Sequence, residues 1–245
     1  MALYLTIDQG NSAAKLALWR DDRLEETHIV QSLTPAYITH YIAAHHGIDG
    51  AIYCSVAAKG TEIMASLANS VKKAIRLTGS TPLPISIEYG TMGSLGVDRI
   101  AAAVGAQASF PGTPLLVVDA GTAVTYDAIT ADGRFIGGNI APGMNMRLEA
   151  LHRFTARLPR VKVPRELPSG LVFGNNTESA MILGAIYGIV GAMSYYKSQL
   201  PENTQVVMTG GWANELSRLC DFDITVDPHL VSKGLNRILI YNENI

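Results

Sequence analysis

An apolar run ending in Asp-x-Gly occurs twice in this chain, and both copies keep the same distance to the next turn. LYLTIDQG closes on Asp8 and Gly10, and LLVVDAG closes on Asp119 and Gly121. With Asp8 set on Asp119, Asn11 falls on Thr122, and the turn Asp21-Asp22-Arg23 falls on Asp132-Gly133-Arg134. Each copy therefore reads as strand, tight turn, strand, turn, strand. The strands are LYLTID, AAKLALW and LEETHIV in the first half, and LLVVDA, AVTYDAI and FIGGNI in the second.

The segments after each triplet are also similar in kind. PAYITHYIAAHH reads as a helix, GAIYCSV as a strand and TEIMASLANSVKKA as a helix. In the second half a long helix spans Thr177 to Leu200, TQVVMTGG is a strand, WANELSRL a short helix, ITVDP a strand, and Val231 to Leu239 a final helix. Three antiparallel strands and then alternating helices and strands predict a mixed sheet covered on both faces. The expected fold is α/β, with duplicated domains at residues 1–113 and 114–245 and a cleft between them.

Composition narrows the function. A chain of 245 residues that is 48% hydrophobic and 16% charged is expected to be globular. The formal net charge of -2 argues against a general binder of nucleic acid or anionic membranes. Two cysteines, Cys54 and Cys220, make no disulfide framework, and the first residues lack a signal peptide's basic head, so a cytoplasmic setting is expected. The uncharged stretch Ser179 to Tyr196 is long enough to suggest a membrane span. Its three glycines, Gly184, Gly188 and Gly191, favour a buried helix packed closely against its own chain or a second copy.

An Asp at a strand end before a glycine turn suits phosphate chemistry. Glycine lets backbone N–H groups approach a phosphate, while the carboxylate needs a cation between itself and the anion, as Mg²⁺ provides. Lys15 would add positive charge beside Asp8. A single such Asp would be read as a turn cap; two at matched places in a repeat favour the phosphate reading. Thr209-Gly210-Gly211, between a strand and a helix, would let a nucleoside lie against the backbone. The chain has neither the P-loop nor the dinucleotide-binding fingerprint.

Asp8-Gln9-Gly10-Asn11-Ser12 resembles the first phosphate motif of the superfamily of acetate and sugar kinases, heat-shock protein 70 and actin. Asp119-Ala120-Gly121-Thr122 resembles its second, and Thr209-Gly210-Gly211 its adenosine motif. Within that superfamily the whole chain resembles the type III pantothenate kinases. The specific marker is Gly96-Val97-Asp98-Arg99 before the helix IAAAVGA, supported by GGNIAPGMNMRLEAL and NNTESAMILGAIYG. Ser12 stands where the family usually has Thr; both carry a hydroxyl.

The resemblance implies two ribonuclease-H-like domains, each a mixed five-stranded sheet flanked by helices, with ATP in the cleft. It implies phosphorylation of the primary hydroxyl of pantothenate to 4'-phosphopantothenate, the first step of coenzyme A biosynthesis. It also implies Mg²⁺, a monovalent cation (K⁺ or NH₄⁺), and a homodimer with shared active sites. Asp98 becomes the catalytic base; on residues alone it is equally a favourable first-turn acid of the helix after it. Asp8, Gln9, Gly10, Asn11, Ser12, Ala13, Ala14, Lys15 and Thr122 are implied to bind ATP, Asp8 through hydrated Mg²⁺. Asp119 is implied to hold the monovalent cation. Tyr89, Gly96, Val97, Asp98, Arg99 and Thr177 are implied to meet pantothenate, Thr177 that of the other subunit. Without the resemblance, Tyr89 would be a buried aromatic, Arg99 a surface cation and Thr177 a helix N-cap. The basic segment with Arg153, Arg157, Arg160, Lys162 and Arg165, set against Glu166 alone, reads as a solvated loop or a mobile cover for anionic substrates. Two rival readings are a kinase of the same superfamily with another acceptor, and a regulatory protein that keeps the ATP fold without turnover.

Overall fold

The computed structural model describes residues 1–10, 13–55, 60–164, 166 and 170–243, with Met92 described by its backbone alone. Asn11, Ser12 and Arg165 lie outside the described residues. The chain forms two compact units, Met1–Pro111 with His229–Ile245, and Gly112–Pro228.

The first unit begins with β1 (Leu3–Gln9), β2 (Ala14–Arg20) and β3 (Arg23–Val30). Then come α1 (Pro35–Ala44), β4 (Gly50–Ser55), α2 (Thr61–Ala68), β5 (Lys73–Arg76), the two-residue β6 (Ser86–Ile87) and α3 (Val97–Ser109). Its sheet has the order β3-β2-β1-β4-β5. The first three strands pair antiparallel, while β1–β4 and β4–β5 pair parallel. Central β1 is buried over Leu3 to Ile7, as a strand covered on both faces must be. Edge strand β3 is largely exposed. The β2–β3 turn places Asp21 at φ 51, a left-handed conformation that a short polar side chain tolerates. Helix α2 stops at Ala68, where the sequence reading carries it on to Ala74, and Lys73–Arg76 pairs as a strand with β4. Pairing with a distant strand overrides the helix-forming composition of VKKA.

The second unit contains β7 (Leu115–Ala120), β8 (Ala123–Ile129), β9 (Arg134–Pro142), α4 (Met144–Arg153), α5 (Thr177–Ser198), β10 (Gln205–Thr209), α6 (Ala213–Ser217) and β11 (Ile224–Val226). Its own strands run in the order β11-β10-β7-β8-β9, with the same senses as the first unit. The duplication is thus one of topology. The turns are not identical. Gly10 N–H donates to the Ala13 carbonyl at 3.1 Å, whereas Gly121 N–H donates to that of Ala123 at 3.0 Å, a shorter turn. The β8–β9 turn is correspondingly longer than β2–β3, with Gly133 at φ 80, so the constant spacing survives compensating changes.

Among the described residues α5 is the helix long and apolar enough to cross a membrane by length and composition. Its apolar side is a protein core: Leu183, Ile186, Ile189 and Met193 pack with Val118, Tyr126 and Met208 of the sheet. Gly184, Gly188 and Gly191 lie on the exposed side, contrary to packing through glycines within the chain. A Cβ at Gly184 or Gly191 would meet open space, while one at Gly188 would lie 2.7 Å from Arg147 Nη1.

The last helix, α7 (Leu230–Glu243), belongs to the first unit, where the sequence reading carries the second domain through residue 245. A Cβ at Gly234 would lie 1.8 Å from the Ala101 carbonyl oxygen, and one at Gly105 would lie 2.3 Å from that of Leu230. Helices α3 and α7 therefore cross backbone to backbone. Tyr4 OH donates to Glu243, and Asn236 Nδ2 donates to the Asp21 carbonyl at 2.8 Å.

Candidate active site

In the first unit, sheet order puts Asp8 and Gln9 at the C-terminal end of the central strand. Asp8 lies opposite Lys15 on one side and opposite Cys54 on the other. Lys15 is exposed on a strand that is otherwise almost entirely buried, so its cation reaches solvent beside Asp8. The Gln9 side-chain oxygen accepts from Tyr53 OH, which ties this residue to β4. Ala13 and Ala14 close the glycine turn without bulk.

Helix α3 brings Asp98 to the same end of the sheet. Burial pushes the Cys54 thiol well up, and the charges of Asp8 and then Asp98 push it in the same direction. Both carboxylates thus act on one buried sulfur, although ninety residues of chain separate them. Helix α3 starts at Gly96, which supplies no side-chain cap. Instead Asp98 Oδ1 accepts the Arg99 N–H at 2.9 Å. Arg99 is not a surface cation: it is 5% exposed, and its Cζ lies 5.8 Å from the centre of the Tyr89 ring. The guanidinium is held against an aromatic face, a favourable contact where water is largely excluded.

In the second unit Asp119 is the penultimate residue of β7, beside the turn at Gly121 and Thr122. Two further glycines press on this turn. A Cβ at Gly210, whose φ is +98, would lie 2.5 Å from the Ala120 carbonyl carbon and 2.6 Å from Asp119 Oδ1. A Cβ at Gly143 would lie 2.4 Å from the Thr122 carbonyl oxygen, which also accepts the Gly143 N–H at 3.1 Å. The Gly121-Thr122 turn and the Thr209-Gly210-Gly211 turn are therefore in direct backbone contact. The sequence reading does not single out Gly143; the one signal for it is Pro142-Gly143 immediately before α4, a helix that reading also lacks.

Thr177 is placed differently from the sequence reading. The N-cap of α5 is Asn176, whose side chain accepts the Ser179 N–H at 2.9 Å, while Ser179 Oγ accepts the Asn176 N–H at 3.2 Å. Thr177 is the first helical residue, is exposed, and among the described residues hydrogen-bonds to neither group of site residues. The basic segment also changes character. Arg153 Nε and Arg160 Nε both donate to Glu149, at 2.7 and 3.2 Å, so an acid of α4 absorbs two of its cations. Among the described residues no cluster of three or more metal-ligating side chains occurs.

A profile of the type III pantothenate kinases matches residues 4–199 of the chain. A type III pantothenate kinase of Porphyromonas gingivalis is 39% identical over 245 residues, 99% of this chain and 100% of that protein. Among solved structures, a Campylobacter jejuni protein provisionally described as a Baf family transcriptional activator has a TM-score of 0.64 at 24% identity, covering 98% of this chain and all of that one. A Sinorhizobium meliloti protein provisionally described as a 2-dehydro-3-deoxygalactonokinase has a TM-score of 0.62 at 13% identity, covering 96% and 97%. At those identities the two structures speak for the fold alone.

Proposed function

The chain belongs to the type III pantothenate kinase family, and from that premise we propose how its own residues divide the work of the reaction. The enzyme transfers the γ-phosphoryl group of ATP to the primary hydroxyl of pantothenate, giving 4'-phosphopantothenate for coenzyme A biosynthesis. The observation that carries the assignment of roles is geometric: Asp8 stands in register with Lys15 and Cys54 beside a glycine turn, and Asp98 opens α3 with Oδ1 anchored by the Arg99 N–H.

Asp98 is the base. It orients the pantothenate hydroxyl and takes its proton as that oxygen attacks phosphorus, while ADP leaves with the electrons of the broken P–O bond. Because phosphoryl transfer is loose, orientation carries much of this contribution. Tyr89, Val97 and Arg99 line the pantothenate side, with Arg99 pinned against Tyr89. Gln9 to Lys15 and Thr122 hold ATP, the N–H groups of the glycine turns meeting phosphate oxygens.

A lone carboxylate at a strand end fits hydrated Mg²⁺, which keeps most of its water and takes one or two protein carboxylates plus phosphate oxygens. Asp8 is that ligand, and Mg²⁺ would neutralise phosphate charge there. Asp119, its carboxylate lodged between Gly121 and Gly210, offers oxygen donors suited to K⁺ or NH₄⁺. Thr177 reaches the pantothenate site of a second subunit in a homodimer. The two free thiols accord with a cytoplasmic enzyme.

A coupled assay for ADP release, run with and without pantothenate, Mg²⁺ and K⁺, tests these assignments. Release should require all three. Asp98→Asn should keep the fold and lower kcat by roughly 10²–10⁴-fold. Near-normal turnover in that variant would remove Asp98 from the role of base.

A further inference from the structure

Helix starts favour Ser, Thr, Asp or Asn at the N-cap, because a side-chain oxygen there satisfies an N–H of the first turn. Helix α3 has Gly96 instead and no side-chain cap. The backbone does not require glycine, since φ -57 and ψ 129 suit any L residue. Nor does packing against another element require it. A Cβ built at Gly96 would meet Asp98 Oδ1 at 2.5 Å; the next atoms, Arg99 Cδ and Asp98 Cγ, lie at 3.6 and 3.7 Å, ordinary contact distances. The space that glycine keeps open is filled by the carboxylate of Asp98.

That carboxylate does the work of the missing cap, with Oδ1 accepting the Arg99 N–H at 2.9 Å. One oxygen is thereby anchored to the helix start, and the group is held in one orientation. We propose that Gly96 is a positioning residue: by having no side chain it selects the Asp98 rotamer in which the backbone anchors one carboxylate oxygen and the other is presented to the pantothenate hydroxyl. The proposal rests on Asp98 being the base. It differs from a direct contact between Gly96 and substrate, because the two roles affect different kinetic constants.

Gly96→Ala would crowd the carboxylate, and Asp98 would turn to another rotamer at little cost to the fold. Gly96→Ser is sharper still. Serine is the better N-cap, so it should leave α3 equally or more stable, yet it would compete with Asp98 for the Arg99 N–H. Both variants should lose kcat by about tenfold or more, the order expected from misplacing a catalytic group. KM for each substrate should stay within about twofold, since ground-state binding is untouched. Gly93→Ala, at a position where a Cβ meets nothing within 4 Å, is the control and should match wild type.

The deciding measurement combines the substitutions. In an Asp98→Asn background, Gly96→Ala should cost little further kcat, because the two act through one group; independent roles would give multiplicative losses. A raised pantothenate KM at unchanged kcat would make Gly96 a binding residue and overturn the proposal. So would full activity in both Gly96 variants beside an impaired Asp98→Asn. A fully active Asp98→Asn would remove the base and this inference with it.

Discussion

Cys54 shows what one residue's surroundings report. It is fully buried on β4 in register with Asp8, and burial, joined by two carboxylates, keeps its proton in place. Cys220 is pushed up to about 11 and Tyr126 to about 12, each chiefly by burial, and Tyr4 and Tyr41 move in the same direction. A group that stays protonated in the fold but ionises in the unfolded chain draws the protein toward unfolding once pH passes its ordinary value, 9.0 for these thiols. The stabilising share of these groups is complete below that pH and is lost as pH rises toward the folded values. Melting temperature measured across pH 8 to 11 should therefore be flat at first and fall steeply above about pH 9 to 10. At pH 8 an aromatic disulfide reagent should leave Cys54 unmodified until denaturant is added. Rapid native labelling of Cys54 would contradict its burial on β4.

At the scale of elements, α7 and β5 show how distant contacts override local pattern. The periodicity of Val231 to Leu239 is enough to place a helix, but nothing within it indicates which unit it covers. That is decided by Gly105 and Gly234, which let α3 and α7 cross at backbone distance, and by Asn236, which holds the Asp21 carbonyl. Helix α3 carries Asp98, so α7 supports the helix bearing the proposed base. Gly234→Ala would drive a methyl into the Ala101 carbonyl, with backbone on both sides and no flexible side chain to yield. It should destabilise the first unit by about 1–3 kcal/mol or more, against the usual small gain from glycine to alanine in a helix. Thermal or urea unfolding would measure this directly, and a gain in stability would show that the crossing is not close. The strand β5 escapes a sequence reading for the complementary reason: its composition suits a helix, and only β4 alongside makes it a strand.

The whole molecule is a duplicated topology with one asymmetry of surface. The second unit exposes the large apolar side chains Phe154 at 86%, Phe173 at 87%, Ile140 at 65% and Tyr195 at 61%. The open glycine side of α5 belongs to the same unit, and Thr177 stands at its head. Our proposed homodimer uses this side. Gly188 is a poor place to test it, because its space holds Arg147 of the same chain. Gly184→Leu is better: it should weaken dimerisation in sedimentation experiments and raise KM for pantothenate several-fold more than KM for ATP. A wild-type enzyme that sediments as a monomer at assay concentration with full activity would rule out the shared site.

Much of this protein was determined by the sequence alone, because the information is local. An Asp at a strand end, a glycine turn and the next strand are neighbours in the chain, so both Asp-x-Gly strand ends, the duplicated triplets and the α3 start with Asp98 were legible there. The specific marker Gly96-Val97-Asp98-Arg99 then identified the family. What only the tertiary structure decided depends on residues far apart in sequence. Tyr4 meets Glu243 across 239 positions and ties α7 to the first unit. Arg99 is buried against Tyr89, Glu149 neutralises Arg160, and Gly143 seats the Thr122 turn. Each of these is a tertiary contact that no local pattern encodes, since pattern reports the face a residue turns inward and not the partner it finds there.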